Sequence, residues 1–521
     1  MRLTRFALLA AGCIGALYGR ALRYPFVYDD RVLIEGSAKL SDPSTLPTAL
    51  VRDLFYLSGS TRPSPYWRPV VTLSYYLDQL VGGGAPWSFH LTNLLVLLGA
   101  SVGVFALLRR TTLDRALPLA LLFALWPIQV EGACNIAGRT DLLCAAFAAA
   151  ALLARQPILA ASLGFLACGS KEIGVLLPLV SWLLDRRGAW RAHAAGGVAF
   201  LVGRAWVLSN TALLPEDHVA PTAASALAAG YRIAWWLGRL ILPLPLSPAL
   251  ELPTPVALVS VAAWLLIGLV GIMIWRFRSP ERLAGAVLVF GALIPVSGLI
   301  TSNVRVGDTL LVLPLWGALF LLSERLKPKI LLGLCALSFA ASWPRVSDWS
   351  SERTLWERAH QRVPADPLVR LNLARASRET DPALALSLLD GVSLPERRGR
   401  EVAAVRAGAL LDLGREDEAW RALLLAVKLD DPEAQWANAM ACVLGAGRGY
   451  PGALALCQAA SAQPDPNVFN ALGIAQMQAG DKAAGLASFE RAASLAPGDP
   501  TFAANLARAR LELGVEAGQR R

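Results

Sequence analysis

Residues 6–31 read Phe6-Ala7-Leu8-Leu9-Ala10-Ala11-Gly12-Cys13-Ile14-Gly15-Ala16-Leu17-Tyr18-Gly19-Arg20-Ala21-Leu22-Arg23, then Tyr24-Pro25-Phe26-Val27-Tyr28-Asp29-Asp30-Arg31. The stretch is apolar up to residue 22, and two adjacent carboxylates stand just past it. If the apolar part spans a bilayer, Asp29 and Asp30 emerge at the far surface. Charge beside a low dielectric is disfavoured unless it is paired or solvated. Two neighbouring carboxylates also repel, which raises one pKa and can make a general base. The plainer reading is a solvated loop with an Asx turn. Arg2 and Arg5 before the apolar run resemble a signal peptide. Residues 19–23 offer no clean A-x-A site, so a retained signal-anchor helix is expected.

The rest of the chain follows the same contrast. Of 521 residues, 55% are hydrophobic, and the mean hydropathy is +0.47. That exceeds the apolar share of an ordinary soluble protein, about 45–50%. The long uncharged runs lie in residues 1–343, whereas 344–521 are rich in Ala, Leu, Arg, Asp and Glu. A membrane domain followed by a water-soluble one is expected. The net charge of +10 comes with arginines in short loops between apolar runs. This is the pattern of membrane orientation. It lacks the aromatic-interleaved groove of a nucleic-acid binder, so nucleic acid is not expected as a partner. The seven cysteines form no CxxC pair, which leaves zinc and redox motifs unsupported. They read as small core residues.

Apolar periodicity and basic loops predict further spans near 89–108, 116–130, 142–153, 157–168, up to 184, 195–208, 256–275, 283–300, 309–322 and 330–342. That makes about eleven, with residues 24–88 a large outer loop. The segment 210–254 reads as an interfacial or re-entrant helix. In the C-terminal part, Asp-Pro pairs stand at 366, 431, 465 and 499, two of the steps being 34 residues. This is the tetratricopeptide period. Phe469, Leu472-Gly473, Gly480, Phe489, Ala492 and Pro497 fall at its packing positions, as do Gly414, Ala419, Leu423 and Ala426. The expected class is therefore all-α: a polytopic helical bundle (1–343), a linker (344–365), a tetratricopeptide-repeat α-solenoid (366–516) and a tail (517–521).

In this topology Asp29, Asp30, Arg68, Glu131, Arg139, Asp141, Lys171, Glu172, Arg305 and Asp308 share the outer face. Singly, each can be an anchor that snorkels to the interface. Together, cations suit a lipid phosphate and a carboxylate suits a hydroxyl acceptor.

At these residues the chain resembles a known family. Tyr28-Asp29-Asp30, Tyr66-Trp67-Arg68-Pro69, Phe89-His90-Leu91-Thr92-Asn93, Trp126-Pro127-Ile128-Gln129-Val130-Glu131, Gly138-Arg139-Thr140-Asp141 and Lys171-Glu172 are similar to the membrane half of the transmembrane and tetratricopeptide repeat-containing O-mannosyltransferases. These are glycosyltransferases of the GT-C class. The resemblance implies inverting transfer of a mannose-like sugar from a polyprenyl-phosphate carrier to Ser or Thr hydroxyls on the non-cytoplasmic face. It makes Asp29 and Asp30 the catalytic pair, with Asp29 the base. Arg139, Lys171 and Arg305 become the phosphate ligands, and Arg68, His90, Glu131, Asp141 and Glu172 the remaining substrate contacts. Neither metal nor other cofactor is required, since the lipid-linked sugar is a substrate. The implied partners are membrane lipid and an acceptor or partner protein held by the repeats.

The sequence departs from the family's pattern in two places. Trp126 and Gln129 stand where His is usual. An acidic-Arg-aromatic-Leu-Tyr-Leu-Pro run is replaced by Asp308-Thr309-Leu310-Leu311-Val312-Leu313-Pro314, with Arg305 expected to compensate one helical turn earlier. The Ala-, Leu-, Arg- and Gly-rich composition points to a GC-rich bacterial genome, hence an inner-membrane enzyme with periplasmic repeats. Two rivals stay open: a non-catalytic membrane-anchored scaffold, and a transporter or flippase of polar lipids.

Overall fold

The computed structural model describes residues 2–58, 64–184, 188–209, 222–243, 250–251, 256–299, 305–323, 326–428, 434–462 and 464–513. The chain divides into two compact units, residues 1–362 and 363–521. Among the described residues the regular structure is helical apart from one two-residue antiparallel pairing in the first unit, Leu250 with Val306 and Glu251 with Arg305.

Among the described residues, five helical segments of the first unit are long and apolar enough to cross a membrane: Leu3–Arg23, Pro86–Leu108, Ile136–Leu153, Ala257–Arg276 and Pro328–Asp348. The first buries Phe6, Ala10, Ile14, Leu17 and Tyr18, a single stripe at helical spacing. Phe6 stacks on Phe105 of Pro86–Leu108 at 4.1 Å, and the Tyr18 hydroxyl donates to the Ala124 carbonyl at 3.0 Å. Helix Ala257–Arg276 differs: among its residues only Ser260 and Ala263 are buried.

Other expected spans take a different form. The apolar run at 116–130 is a helix only over Ala116–Leu125, too short at about 15 Å to cross a hydrocarbon core of about 30 Å. Pro127 is the reason, because a residue before proline is driven out of the helical region. Trp126 accordingly adopts an extended conformation, and the chain restarts as Gln129–Cys134. The run at 283–300 is helical as far as residue 296 but changes pitch along the way, from helix Pro280–Ala286 through a π turn Val287–Gly291 to a 3-10 turn Ile294–Val296. Of the segment 210–254, the helix Ala223–Ile241 is described.

The outer loop expected at 24–88 is folded. Short helices at Asp29–Leu33, Ala38–Ser41 and Leu46–Leu50 lead into Pro69–Gly82. They share a core in which Phe26, Leu33, Leu54, Val71 and Tyr75 pack with Phe89, Ile136 and Leu143. The stretch 131–141, which falls between two expected spans, is helical apart from Asn135 and largely buried. Residues 344–365, expected as a linker, hold the end of Pro328–Asp348 and the helix Glu352–Arg362.

The second unit consists of antiparallel helix pairs: Pro367–Ser377 with Pro382–Leu389, Glu396–Asp412 with Glu416–Ala426, Gln435–Arg448 with Ala453–Ala460, and Pro466–Gln478 with Lys482–Leu495; Pro500–Leu513 follows. Three of the Asp-Pro pairs are helix starts, and the one at 431 lies outside the described residues. Asp366, Asp465 and Asp499 accept backbone N–H groups of the first turn, and the proline takes a position where no N–H is needed. Gly473 is small because a Cβ there would meet the Phe489 ring at 2.7 Å. Cys442 and Cys457, expected as separate core thiols, are joined by a disulfide across one helix pair. Their 15-residue spacing carries no motif; the hairpin brings them together.

Candidate active site

The two carboxylates of the opening stretch have separate environments. Asp30 is fully buried. Its two oxygens accept the Ala137 N–H at 2.8 Å and the Ile136 N–H at 3.1 Å. Those amides open the 3-10 turn Ile136–Gly138, so Asp30 pins the short helix Asp29–Leu33 to the start of a spanning segment. Burial pushes the Asp30 carboxyl up to about 8 against the pull of the two amides, with Asp29 adding to the rise and Arg139 opposing it. Asp29 is exposed, yet its charge acts on Asp30, Glu131 and Tyr75. One carboxylate is an anchor and the other is exposed on the same short helix.

Arg139, expected to hold phosphate, is the hub of a closed network. It is fully buried. Its Nε donates to Asn93 Oδ1 at 2.9 Å, Nη1 to Ser74 Oγ at 2.9 Å and to Asp78 Oδ2 at 2.5 Å, and Nη2 to the Phe89 carbonyl at 2.8 Å. Four of its five N–H groups are thus used by protein. Its plane also lies 4.8 Å from the Tyr75 ring centre. Thr92 donates to the other Asp78 oxygen, and Asn93 donates to the Gly132 and Asn135 carbonyls. Arg139 therefore ties Pro69–Gly82, Pro86–Leu108 and its own helix together. His90 is fully buried on Pro86–Leu108.

Lys171 and Arg68 are more open. Lys171 Nζ grips both oxygens of Asp141 at 2.7 and 2.6 Å, and Arg68 Nη2 pairs with Glu172 Oε2 at 3.1 Å. The side chains of Lys171 and Arg68 keep 13% and 14% of their surface exposed. Arg68 lies over the Tyr66 ring and within electrostatic reach of Asp141, so the two ion pairs form one patch.

A third cluster was not foreseen as a unit. Asp308 is buried between two arginines, Arg239 Nη2 at 2.6 Å and Arg345 Nη2 at 3.5 Å. Its backbone N–H donates to Glu131 Oε2. Burial and the nearby Asp308 charge both push the Glu131 carboxyl up. Arg345 also donates to the Pro127 carbonyl. The expected compensation by Arg305 takes another form: Arg305 lies in the strand Arg305–Val306, not one helical turn before Asp308, and its side chain is outside the described residues. Arg239 and Arg345 supply the cations instead. The available signal was an arginine within an apolar helical run, which needs a buried partner. Asp78, among Tyr75, Tyr76 and Leu80, gave the same signal.

The second unit carries its own cleft, of about 700 Å³, lined in part by Arg400, Arg406, Arg415 and Arg421 with Asp390 and Glu418. Arg415 and Glu418 pair through two 2.7 Å bonds.

No family model matches the chain. Among characterised proteins it is similar to protein O-mannosyl-transferase Tmtc2 of Drosophila melanogaster, 36% identical over 131 residues, which is 24% of this chain and 14% of that protein. To human TMTC2 it is 34% identical over 140 residues, 26% of this chain and 16% of the relative. To human TMTC4 it is 32% identical over 161 residues, 27% and 22% respectively. The similarity thus spans about a quarter of this chain and under a quarter of each relative.

Proposed function

We propose that the chain is an integral-membrane glycosyltransferase that moves a mannose-like sugar from a polyprenyl-phosphate carrier to Ser or Thr hydroxyls of protein. The observation that carries the reading is Asp29. It is an exposed carboxylate on a helix fixed by its buried neighbour, and Tyr75 feels both its charge and those of Arg139 and Arg68. Similarity to proteins named O-mannosyl-transferases supports the same chemistry.

In this scheme the acceptor hydroxyl attacks the anomeric carbon as Asp29 takes its proton. The bond from that carbon to the carrier's phosphate oxygen breaks, the phosphate keeps the electron pair, and the configuration inverts. Lys171 and Arg68, the more open cations, stabilise the departing phosphate. Arg139 is reassigned from phosphate ligand to strut, and no step requires a metal. Exposure lets Asp29 return its proton to water.

The reading extends to the whole chain. About eleven membrane crossings in a GT-C arrangement would count the short and broken apolar helices as spans or half-spans. The second unit is a tetratricopeptide solenoid, and its arginine-lined cleft offers a surface for acceptor or partner protein. A disulfide favours an oxidising compartment, so Cys442–Cys457 supports a second unit on the non-cytoplasmic side, in a bacterial setting the periplasm.

Membranes carrying the wild type or Asp29→Asn would be given labelled polyprenyl-phosphate sugars and acceptor protein. Label in protein from the wild type, lost in the variant at equal expression, is the expected result. Absence of transfer by correctly inserted wild type with every donor would favour the membrane-anchored scaffold.

A further inference from the structure

Tyr28, immediately before the carboxylate pair, has φ +59° and ψ −119°. Among the described residues it is the one non-glycine with positive φ. An L-residue with a large side chain is strained there, and such strain persists only where the surroundings impose it. The surroundings here are 324 residues away in sequence. The Tyr28 N–H donates to Glu352 Oε2 at 2.7 Å. The other oxygen of Glu352 accepts Trp356 Nε1 at 2.6 Å. Trp356 is fully buried, and the Tyr28 ring packs edge-on against it at 5.3 Å. Both partners stand on Glu352–Arg362, the last helix of the first unit.

We infer that Glu352 and Trp356 are positioning residues for the Asp29–Asp30 pair. The helix Glu352–Arg362 holds Tyr28 in its left-handed backbone and so sets the direction in which Asp29 leaves the chain. Asp30 fixes the other side of that turn through Ile136 and Ala137. The carboxylate form matters, because one oxygen serves Tyr28 and the other Trp356. A glutamine at 352 presents one acceptor and turns N–H groups toward a donor. The inference rests on the proposed role of Asp29 but concerns residues far from it in sequence.

The test uses the full chain in membranes with the sugar-transfer assay. Glu352→Gln should lower kcat about 10- to 100-fold through misplacement of the base, with donor KM little changed. Tyr28→Gly provides the discriminating background, since glycine accepts positive φ without strain. There, Glu352→Gln should cost under about 3-fold, a non-additivity expected of coupled sites. A merely structural Glu352 would lower yield and kcat equally in both backgrounds. Hydrogen exchange over residues 26–34 gives a second readout, and it should accelerate in Glu352→Gln. Unchanged kcat or unchanged exchange in that variant would overturn the inference. If the wild type transfers no sugar, the proposed function fails, and the exchange experiment alone decides whether the clamp exists.

Discussion

Removing Arg139 tests whether it is a strut or a ligand. In Arg139→Met, Asp78 stays buried and loses its cation, keeping only the Thr92 hydroxyl. Breaking a buried ion pair by deleting one partner costs about 3–5 kcal/mol. Ser74, Asn93 and the Phe89 carbonyl each lose a donor, at about 1 kcal/mol apiece if additive. They belong to one network and are not additive, so the total is about 5 kcal/mol. That is much of the 5–15 kcal/mol that holds a typical domain. The thermal midpoint in detergent should drop on the order of 10 °C, with a matching loss of monodisperse protein. Arg139→Lys keeps charge near Asp78 but lacks the planar fork, and should cost about 2 kcal/mol for the bonds it cannot make. A different result would refute the reasoning: Arg139→Met with a midpoint within about 2 °C of wild type and a selective loss of donor affinity. Arg139 would then be a phosphate ligand after all.

Two other outcomes follow. Asp30 binds its proton more tightly in the folded protein, about 8 against an ordinary 3.8, so its contribution to stability is fully present below 3.8 and is lost as pH rises toward 8. The difference in thermal midpoint between wild type and Asp30→Asn should therefore change steadily across that window in favour of the variant; a pH-independent difference would contradict it. The Cys442–Cys457 bridge closes a loop of 15 residues, and its loss in Cys442→Ala/Cys457→Ala should destabilise the second unit by about 3 kcal/mol. Alkylation with and without reductant, read by peptide mass, should show Cys442 and Cys457 protected together while the other five cysteines are free, and alkylation of Cys442 and Cys457 without reductant would refute the bridge.

The sequence carried some of this directly and some of it not at all. The Asp-Pro spacing was legible because the dipeptide is a local helix start, satisfied within three residues of chain. The apolar segments around 6–22, 89–108 and 256–275 were legible for the same reason, since length and hydropathy are local quantities. The break at Trp126 was equally local, and Pro127 was its signal; the continuous span expected there weighed hydropathy over backbone geometry. Residue roles were less accessible. Arg139 and Lys171 are cations beside acids in sequence and Arg68 follows two aromatics, and nothing nearby says which one is enclosed. Enclosure depends on Ser74, Asp78 and Asn93, which come from two other helices. Asp308 likewise meets arginines 69 and 37 residues away, and Tyr28 meets a glutamate from the end of the unit. Long-range pairing of buried charge is decided by packing, which single-residue chemistry constrains only by requiring that some partner exist.

The helix Ala257–Arg276 has its own consequence. Leu258, Leu265, Ile272 and Trp275 are all more than 60% exposed, so hydrocarbon rather than protein is the neighbour that selects them. Lipid tails scarcely distinguish one branched apolar side chain from another. The outward positions of this helix are accordingly free to drift among Leu, Ile, Val and Phe over evolutionary time, while a single Lys or Asp at its middle is excluded at about 2.5–3.5 kcal/mol. Its boundaries answer to bilayer thickness. It is the part of the protein whose sequence records the host membrane rather than contacts with its own chain.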